Sequence, residues 1–239
     1  MAPVLTEETR TLLAGIGTAT IANALLRHGL RNTCLSGITP LAPGQPPLVG
    51  PAYTLRFIPA REDIDSLAGY ADDGHLHRRA IEECPPGHVL VIDTGGNTAA
   101  ASAGDLMIAR LKARGVAGVV TDGGFRDTPS IRATGLPAYQ RCSAPPATPL
   151  ALHPAQLDGP IGCAGVAVYP GDVIVGDGEG VVAVPAGLAA DIAAETAETT
   201  AYEEFAEQEI ARGRSLFGLF PATEASRLEY RTWLTTRRP

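Results

Sequence analysis

The chain has little lysine and few aromatic side chains. Lys112 is its only lysine, and Phe, Trp and Tyr together supply 5% of the 239 residues. One lysine, inside a predicted helix, leaves little room for Schiff-base chemistry. Acidic residues outnumber basic ones, 26 Asp and Glu against 19 Lys and Arg, for a formal net charge of −7. Neutralising a phosphate backbone needs a basic face, so this balance argues against nucleic acid as a partner. No stretch approaches the roughly 18 uninterrupted apolar residues of a membrane span. The opening MAPVLTEETR lacks the basic and apolar regions of a secretory signal. Cys34, Cys84, Cys142 and Cys163 are far apart with no C-x-x-C. That spacing disfavours a zinc framework and predicts reduced, buried thiols in a cytoplasmic protein.

What is present is ample core material, 45% hydrophobic, punctuated by 27 glycines and 20 prolines. Residues 6–28 predict one helix. Thr6 is its N-cap, Glu7 and Glu8 lie in the first turn, and Leu12, Leu13, Ile16, Ala19, Ala22, Leu25 and Leu26 form an apolar stripe. Gly29 ends it. The proline-rich 39–50 predicts a loop, and 52–58 a strand. Strands are expected at 88–93 and 115–121, with helices at about 74–84, 104–114 and 128–134. The later half predicts short strands at 138–142, 162–169, 173–175 and 180–184, separated by Pro, Gly and Asp turns. A long Ala- and Glu-rich helix should run from about 187 to Arg212, with a last short helix through Trp233. No repeat or low-complexity linker interrupts the chain. The expectation is one α/β domain over 1–239, with mixed sheets and helical N- and C-terminal segments.

Chemistry concentrates at two places. Gly104, Asp105, Leu106 and Met107 open a helix, where free N–H groups favour an anion. Thr121-Asp122-Gly123-Gly124-Phe125-Arg126-Asp127 follows an apolar strand. Strand ends and helix starts meet on one edge of an α/β unit, so Asp105 can face Arg126 and Asp127 across a pocket. Locally, Asp122-Gly123-Gly124 could be only a tight turn and Arg126–Asp127 a surface pair.

Asp105, twenty intervening residues, then Arg126 and Asp127 form a spacing that resembles the metal-dependent 4-hydroxy-4-methyl-2-oxoglutarate (HMG) aldolases. That family also includes regulators of ribonuclease activity A (RraA). The resemblance extends to Thr18-Ala19-Thr20-Ile21-Ala22-Asn23-Ala24, to the stretch 104–123, and to Pro170-Gly171-Asp172 with Asp177-Gly178-Glu179-Gly180-Val181. It implies an α/β/β/α sandwich assembled as a homotrimer or hexamer. It implies that Asp127 is the protein ligand of a divalent cation, Mg²⁺ or Mn²⁺, with waters completing the shell. Arg126 would stabilise an enolate, amides around Asp105, Leu106 and Met107 would hold a pyruvyl carboxylate, and Asp105 would orient a water on the metal. Such a site cleaves a 4-hydroxy-2-oxo acid to pyruvate and a second carbonyl compound, and can decarboxylate oxaloacetate through the same enolate. Asn23 departs from the Asp common in relatives, and the longer C-terminal extension suggests a substrate other than HMG. A related sugar-acid enzyme is a variant of this reading.

The rival from another class is a non-catalytic protein that masks a ribonuclease; it has no need of the Asp-Arg-Asp set. A phosphohistidine carrier needs an exposed acceptor histidine, and none stands out. Several features read as structural. Asp122 should buttress its turn, and Gly176 to Gly180 should form a hairpin turn rather than a dinucleotide loop. His75-Leu76-His77 cannot share one helix face, so His77-Arg78-Arg79 is expected in a solvated or substrate-facing loop, with Tyr70 to Arg79 a further source of polar groups for the site. Ser143 and His153 lack a triad partner.

Overall fold

The computed structural model describes residues 5–237. Helix α1 (Glu7–Ala14) starts at the predicted N-cap, with Thr6 Oγ1 accepting the Thr9 amide at 3.1 Å. The expected single helix is broken at Gly15-Ile16-Gly17, and α2 (Thr18–Arg27) follows. The break has a distant cause. Asp177 accepts hydrogen bonds from the Thr18 amide at 2.7 Å and the Thr18 hydroxyl at 2.9 Å, so a residue 159 positions away caps α2. Gly29, at φ 84°, ends α2 as predicted.

The predicted loop 39–50 contains two strand segments, β1 (Thr39–Pro40) and the start of β2 (Leu48–Pro59). Proline density hides them, but Pro51 sits within β2 opposite Val173 because its fixed φ is compatible with extended backbone. A 3-10 turn over Leu67–Ala71 and helix α3 (Leu76–Glu83) lead to β3 (Val89–Asp93). Then come β4 (Ala101–Ala103), α4 (Asp105–Ala113), β5 (Gly118–Thr121), β6 (Gly124–Phe125) and α5 (Thr128–Thr134). Strands β7 (Ala138–Gln140), β8 (Cys142–Ser143) and β9 (Leu152–Leu157) follow. The predicted strand 162–169 is instead a 3-10 turn, Cys163–Gly165, with Ala164 at φ 50° and a single bridge between Ile161 and Val168. The hairpin of β10 (Val173–Gly176) and β11 (Val181–Val184) turns through 177–180 as expected. Helices α6 (Ala189–Ala211) and α7 (Glu224–Arg237) complete the described chain.

The main sheet runs β1-β7-β5-β3-β2-β10-β11, with β9 also paired to β2. Its centre, β7-β5-β3-β2, is parallel, and the flanking pairs are antiparallel. Period-two alternation sorts the side chains into layers. Leu90 and Ile92 of β3 face a core shared with Ala80 and Ile81 of α3, Ile108 and Leu111 of α4 and Ile131 of α5. Val89 and Val91 face the opposite way, toward Ile174, Val181 and Ala183 of the β10–β11 hairpin. The outer face of that hairpin, Val173, Val175, Val182 and Val184, packs on Leu13, Ile21, Leu25 and Ile192 of α1, α2 and α6. Helix, sheet, sheet, helix is therefore the order, the sandwich the resemblance implied. A second, three-stranded sheet, β4-β6-β8, lies apart from the main one. Beyond the sandwich, Tyr202, Phe205, Leu219 and Tyr230 with Trp233 form a separate aromatic cluster joining α6 to α7. No helix among the described residues is long and apolar enough to cross a membrane.

The Asp177 cap tests how α2 is held. Burial works to raise the Asp177 pKa, but hydrogen bonds from Thr18, Glu179 and Gly180 outweigh it and the net shift is downward. A depressed native pKa stabilises the fold above the unfolded value and loses that contribution as pH falls through the native one. Asp177→Asn should therefore cost about 1 kcal/mol at pH 7. In thermal melts, its Tm deficit should close as pH drops below about 4. A deficit independent of pH would show that the carboxylate charge contributes nothing.

Candidate active site

The small sheet sets the geometry. β4 and β6 run parallel with Ala101 opposite Gly124 and Ala103 opposite Phe125. The Arg126 amide donates to the Ala103 carbonyl at 3.1 Å. Parallel strands end at one edge, so Gly104 and Arg126 emerge side by side, each leading into a helix. The twenty-residue spacer is the length of α4, β5 and the connections that bring the chain back to this edge.

Asp127 is the N-cap of α5, yet its side chain makes no capping hydrogen bond. Its backbone is left-handed, φ 57° and ψ 34°, which Asp tolerates better than most residues. The carboxylate turns instead to Arg126, with Oδ2 3.2 Å from Nε, and both side chains remain nearly half exposed. Gly104 lies against this pair. A Cβ there would sit 3.0 Å from Arg126 Nε and 3.1 Å from Asp127 Oδ2. The absent side chain leaves a cradle over the guanidinium and the carboxylate.

Gly104, Asp105, Leu106, Met107 and Arg126 line one cavity of about 230 Å³, so the predicted set converges; Asp127 adjoins it through Arg126. Asp105 is the first residue of α4, and its Oδ1 accepts the Leu106 amide at 2.8 Å. Of the remaining wall, Tyr70 lies in the stretch 70–79 expected to offer polar groups, whereas Leu67, from the same 3-10 turn, and 147–149 were not predicted. The Tyr70 hydroxyl is 2.8 Å from His77 Nδ1. Burial raises the Tyr70 pKa, and the Arg126 charge pulls it the other way. His77 corrects the expectation of a solvated loop. It is fully buried, with its ring edge-on to Phe57, because His77, Ala80, Ile81 and Cys84 form the inward face of α3. The i, i+3, i+4 spacing of those four was the available signal. Burial lowers the His77 pKa to about 3, so the ring is neutral.

Asp122 has the structural role expected of it. Its buried carboxylate accepts the Thr94 amide and hydroxyl at 2.7 and 2.9 Å, the Gly96 amide at 2.9 Å and the Ala164 amide at 3.1 Å. Gly123 and Gly124 are also structural. A Cβ on Gly123 would strike Thr94 and the Asn97 carbonyl, and one on Gly124 the Cys142 carbonyl and Ala144. Close backbone packing demands these glycines; Gly104 is the one that opens onto the cavity. The thiol expectation holds in part: all four cysteines are free, but Cys34 and Cys142 are exposed. Lys112 donates to the Thr134 carbonyl and does not line the cavity. His153 pairs with Asp65 at 2.7 Å, with no serine in the pair.

A family model described as RraA-like, Aldolase/RraA, matches residues 18–183. The chain belongs to the RraA-like family. A Halalkalibacterium halodurans protein that carries HMG aldolase as a provisional name is 34% identical over 196 residues, 82% of this chain and 85% of that protein. The crystal structure of Streptomyces coelicolor RraAS2 superposes with a TM-score of 0.75 at 34% identity, covering 87% of this chain and 98% of that one. RraAS2 is described as an unusual member of the RNase ES inhibitor RraA protein family. A Pseudomonas syringae protein of unassigned function reaches a TM-score of 0.81 at 25% identity, covering 93% of this chain and 97% of that one. In this RraA-like chain, α6 and α7 lie beyond the matched region.

Whether these residues suit a divalent metal can be judged from their donors. Among the described residues, no group of three or more His, Cys, Asp or Glu side chains is placed to hold one. A soft or fully protein-caged site is therefore not what they offer. One accessible carboxylate, unused for capping and bordered by the Gly104 cradle, suits a hard cation that keeps most of its waters, as Mg²⁺ does.

Gly104→Ala tests the cradle. Gly104 has φ −123° and ψ 179°, which alanine adopts freely, so the RraA-like fold should persist with a stability change within about 1 kcal/mol. A crystal structure of the variant should show Arg126 or Asp127 displaced. Unmoved side chains would show that the cradle has slack.

Proposed function

We propose that this protein is a divalent-metal-dependent lyase. In this reading it cleaves 4-hydroxy-2-oxo acids to pyruvate and a second carbonyl compound, and also decarboxylates oxaloacetate. The observation that carries the proposal is Asp127, an N-cap carboxylate that leaves its own helix uncapped and meets Arg126 beneath Gly104. Names of relatives add support, since the Halalkalibacterium halodurans protein provisionally bears that activity.

Asp127 would hold the cation, Mg²⁺ or Mn²⁺, with waters. When bound, such an ion supplies Lewis acidity to the oxygens of an α-keto acid. The first-turn amides of α4 have no partner inside the helix and favour a carboxylate there, which seats the acid end of the substrate. Arg126 then faces the keto oxygen. Breaking the C3–C4 bond moves an electron pair into the pyruvyl half, and charge gathers on that oxygen as the enolate forms. A fixed guanidinium in a partly water-excluded cavity stabilises it, an effect on the order of 3 kcal/mol for one such donor. Asp105, with one oxygen on the Leu106 amide, would use the other to orient a water toward the 4-hydroxyl, whose proton must leave as the second carbonyl forms. The lysine route is closed in this cavity, because the chain's only lysine lies elsewhere.

In a trimer or hexamer, an exposed apolar turn between α6 and α7, with Leu216, Phe217 and Phe220, would supply contact surface. A second reading, a protein that masks a ribonuclease, draws on the description of RraAS2. It gives no reason for an uncapped Asp127 beside Arg126 under a glycine.

A coupled pyruvate assay on HMG and oxaloacetate, with Mg²⁺ or Mn²⁺ and with chelator, separates the two. Release should stop with chelator and fall about 10²- to 10³-fold in Arg126→Ala. Asp127→Asn should lose activity at nearly unchanged Tm, because Asn tolerates the left-handed backbone equally well. Absence of pyruvate from every 4-hydroxy-2-oxo acid tried, with either metal, would refute the lyase.

A further inference from the structure

We infer that the cavity takes a 2-oxo acid with a single carboxylate, one whose half beyond the keto group is uncharged. The inference rests on the reading above and narrows its preferred substrates away from dicarboxylates, so that HMG and oxaloacetate should turn over more slowly than a monocarboxylic 4-hydroxy-2-oxo acid.

Charge is the first ground. Arg126 is the only cationic side chain lining the cavity, and it already faces Asp127 at 3.2 Å, with Asp105 close by. With the divalent cation of the reading above, the guanidinium and two carboxylates leave a balance of about one positive charge, which the first substrate carboxylate cancels. The two arginines that line the adjoining cavity are engaged. Arg78 bonds the Tyr70 carbonyl at 2.9 Å and Asp73 at 3.0 Å, and Arg110 holds Glu82 with contacts of 2.8 to 3.1 Å. A second substrate carboxylate would be desolvated with no cation to receive it.

The hydroxyls give the second ground. The Thr148 hydroxyl donates to the Ala101 carbonyl at 2.7 Å, and a carbonyl can only accept, so its proton is committed. Tyr70 meets Nδ1 of a neutral His77. The Thr148 hydroxyl therefore offers the cavity lone pairs only, and the Tyr70 hydroxyl is already engaged by the ring. Lone pairs receive an O–H from a substrate hydroxyl and repel a carboxylate.

Shape and polarity agree. The rest of the wall is Leu67, Leu106, Met107, Ala147 and Pro149, and Leu67 and Leu106 are 72% and 81% exposed. Such side chains gain by covering an apolar tail. About 230 Å³ is below the ~300–1,000 Å³ typical of drug-sized ligands and suits a short-chain acid.

The test uses the full chain in its solution assembly with Mg²⁺ and two stable five-carbon ligands, 2-oxopentanoate and 2-oxoglutarate. They differ at the far end, a methyl in one and a carboxylate in the other. Calorimetric titration should give a Kd at least tenfold lower for 2-oxopentanoate, and Ala147→Arg should bring the two within a factor of three. Equal or tighter binding of 2-oxoglutarate by the wild-type protein overturns the inference, including where a neighbouring copy donates the missing cation. Saturable binding of neither ligand overturns it too. A monoacid preference without pyruvate release from any 4-hydroxy-2-oxo acid would uphold this substrate class and sink the lyase, so the two failures are distinct.

Discussion

The parallel pairing of β4 with β6 is the constraint on which the site depends. It spans only two residue pairs, and side-chain size lets it close. Ala101, Ser102, Ala103 and Gly124 are all small, and a Cβ on Gly124 would lie 2.5 Å from the Cys142 carbonyl of the next strand. Ser102 reinforces it from the buried side, its hydroxyl within 3.1 Å of both Thr121 Oγ1 and the Gly124 carbonyl. A slip of one residue would turn Ser102 outward and carry Gly104 away from Arg126. Cradle, ion pair and cavity all follow from this register.

Asp122 does for the main sheet what Ser102 does for the small one. Its four hydrogen bonds tie the end of β5 to the turn after β3 and to the 3-10 turn at Ala164. A buried carboxylate satisfied by three amides and a hydroxyl needs no cation, because those dipoles are already oriented around it. Three acidic residues, two of them in one short stretch, thus have different surroundings. Asp122 is enclosed by N–H donors, whereas Asp105 engages one amide and Asp127 none. Local sequence cannot make that distinction, since it depends on what the fold places opposite each carboxylate.

Helices α3 to α6 were legible from their stops, as at Gly135, where φ is 71°, and α6 also from its run of Ala and Glu. Buried strands β3 and β5 were legible as apolar runs. The small sheet was not, because its strands are two or three residues of Ala, Ser, Gly, Phe and Cys with no alternation to detect. β9 was missed for a related reason: Pro154 interrupts it, and it pairs with β2 across an irregularity between Arg56 and Phe57. The α1–α2 break depends on Asp177, 159 residues from its partner, and no local window contains both. In the site, the motif-borne residues were found, Tyr70 fell within the 70–79 stretch expected to offer polar groups, and Leu67 and Thr148 were missed. Those two reach the cavity on 3-10 turns, where side-chain direction has no sequence period.

Asp127 shows why a site can be strong in three dimensions and weak in one. An Asp at an N-cap ordinarily contributes about 1 kcal/mol by binding an amide of the first turn. Asp127 forgoes that contribution and adopts a left-handed backbone, a state that costs a non-glycine residue of order 1 kcal/mol or more. Stability alone would favour a glycine or an ordinary cap here. The two costs meet at one residue whose freed carboxylate lies next to a guanidinium, under a glycine, at a cavity rim. A turn that merely ended a strand would have no reason to combine them, and a site that must keep a carboxylate available to a ligand does.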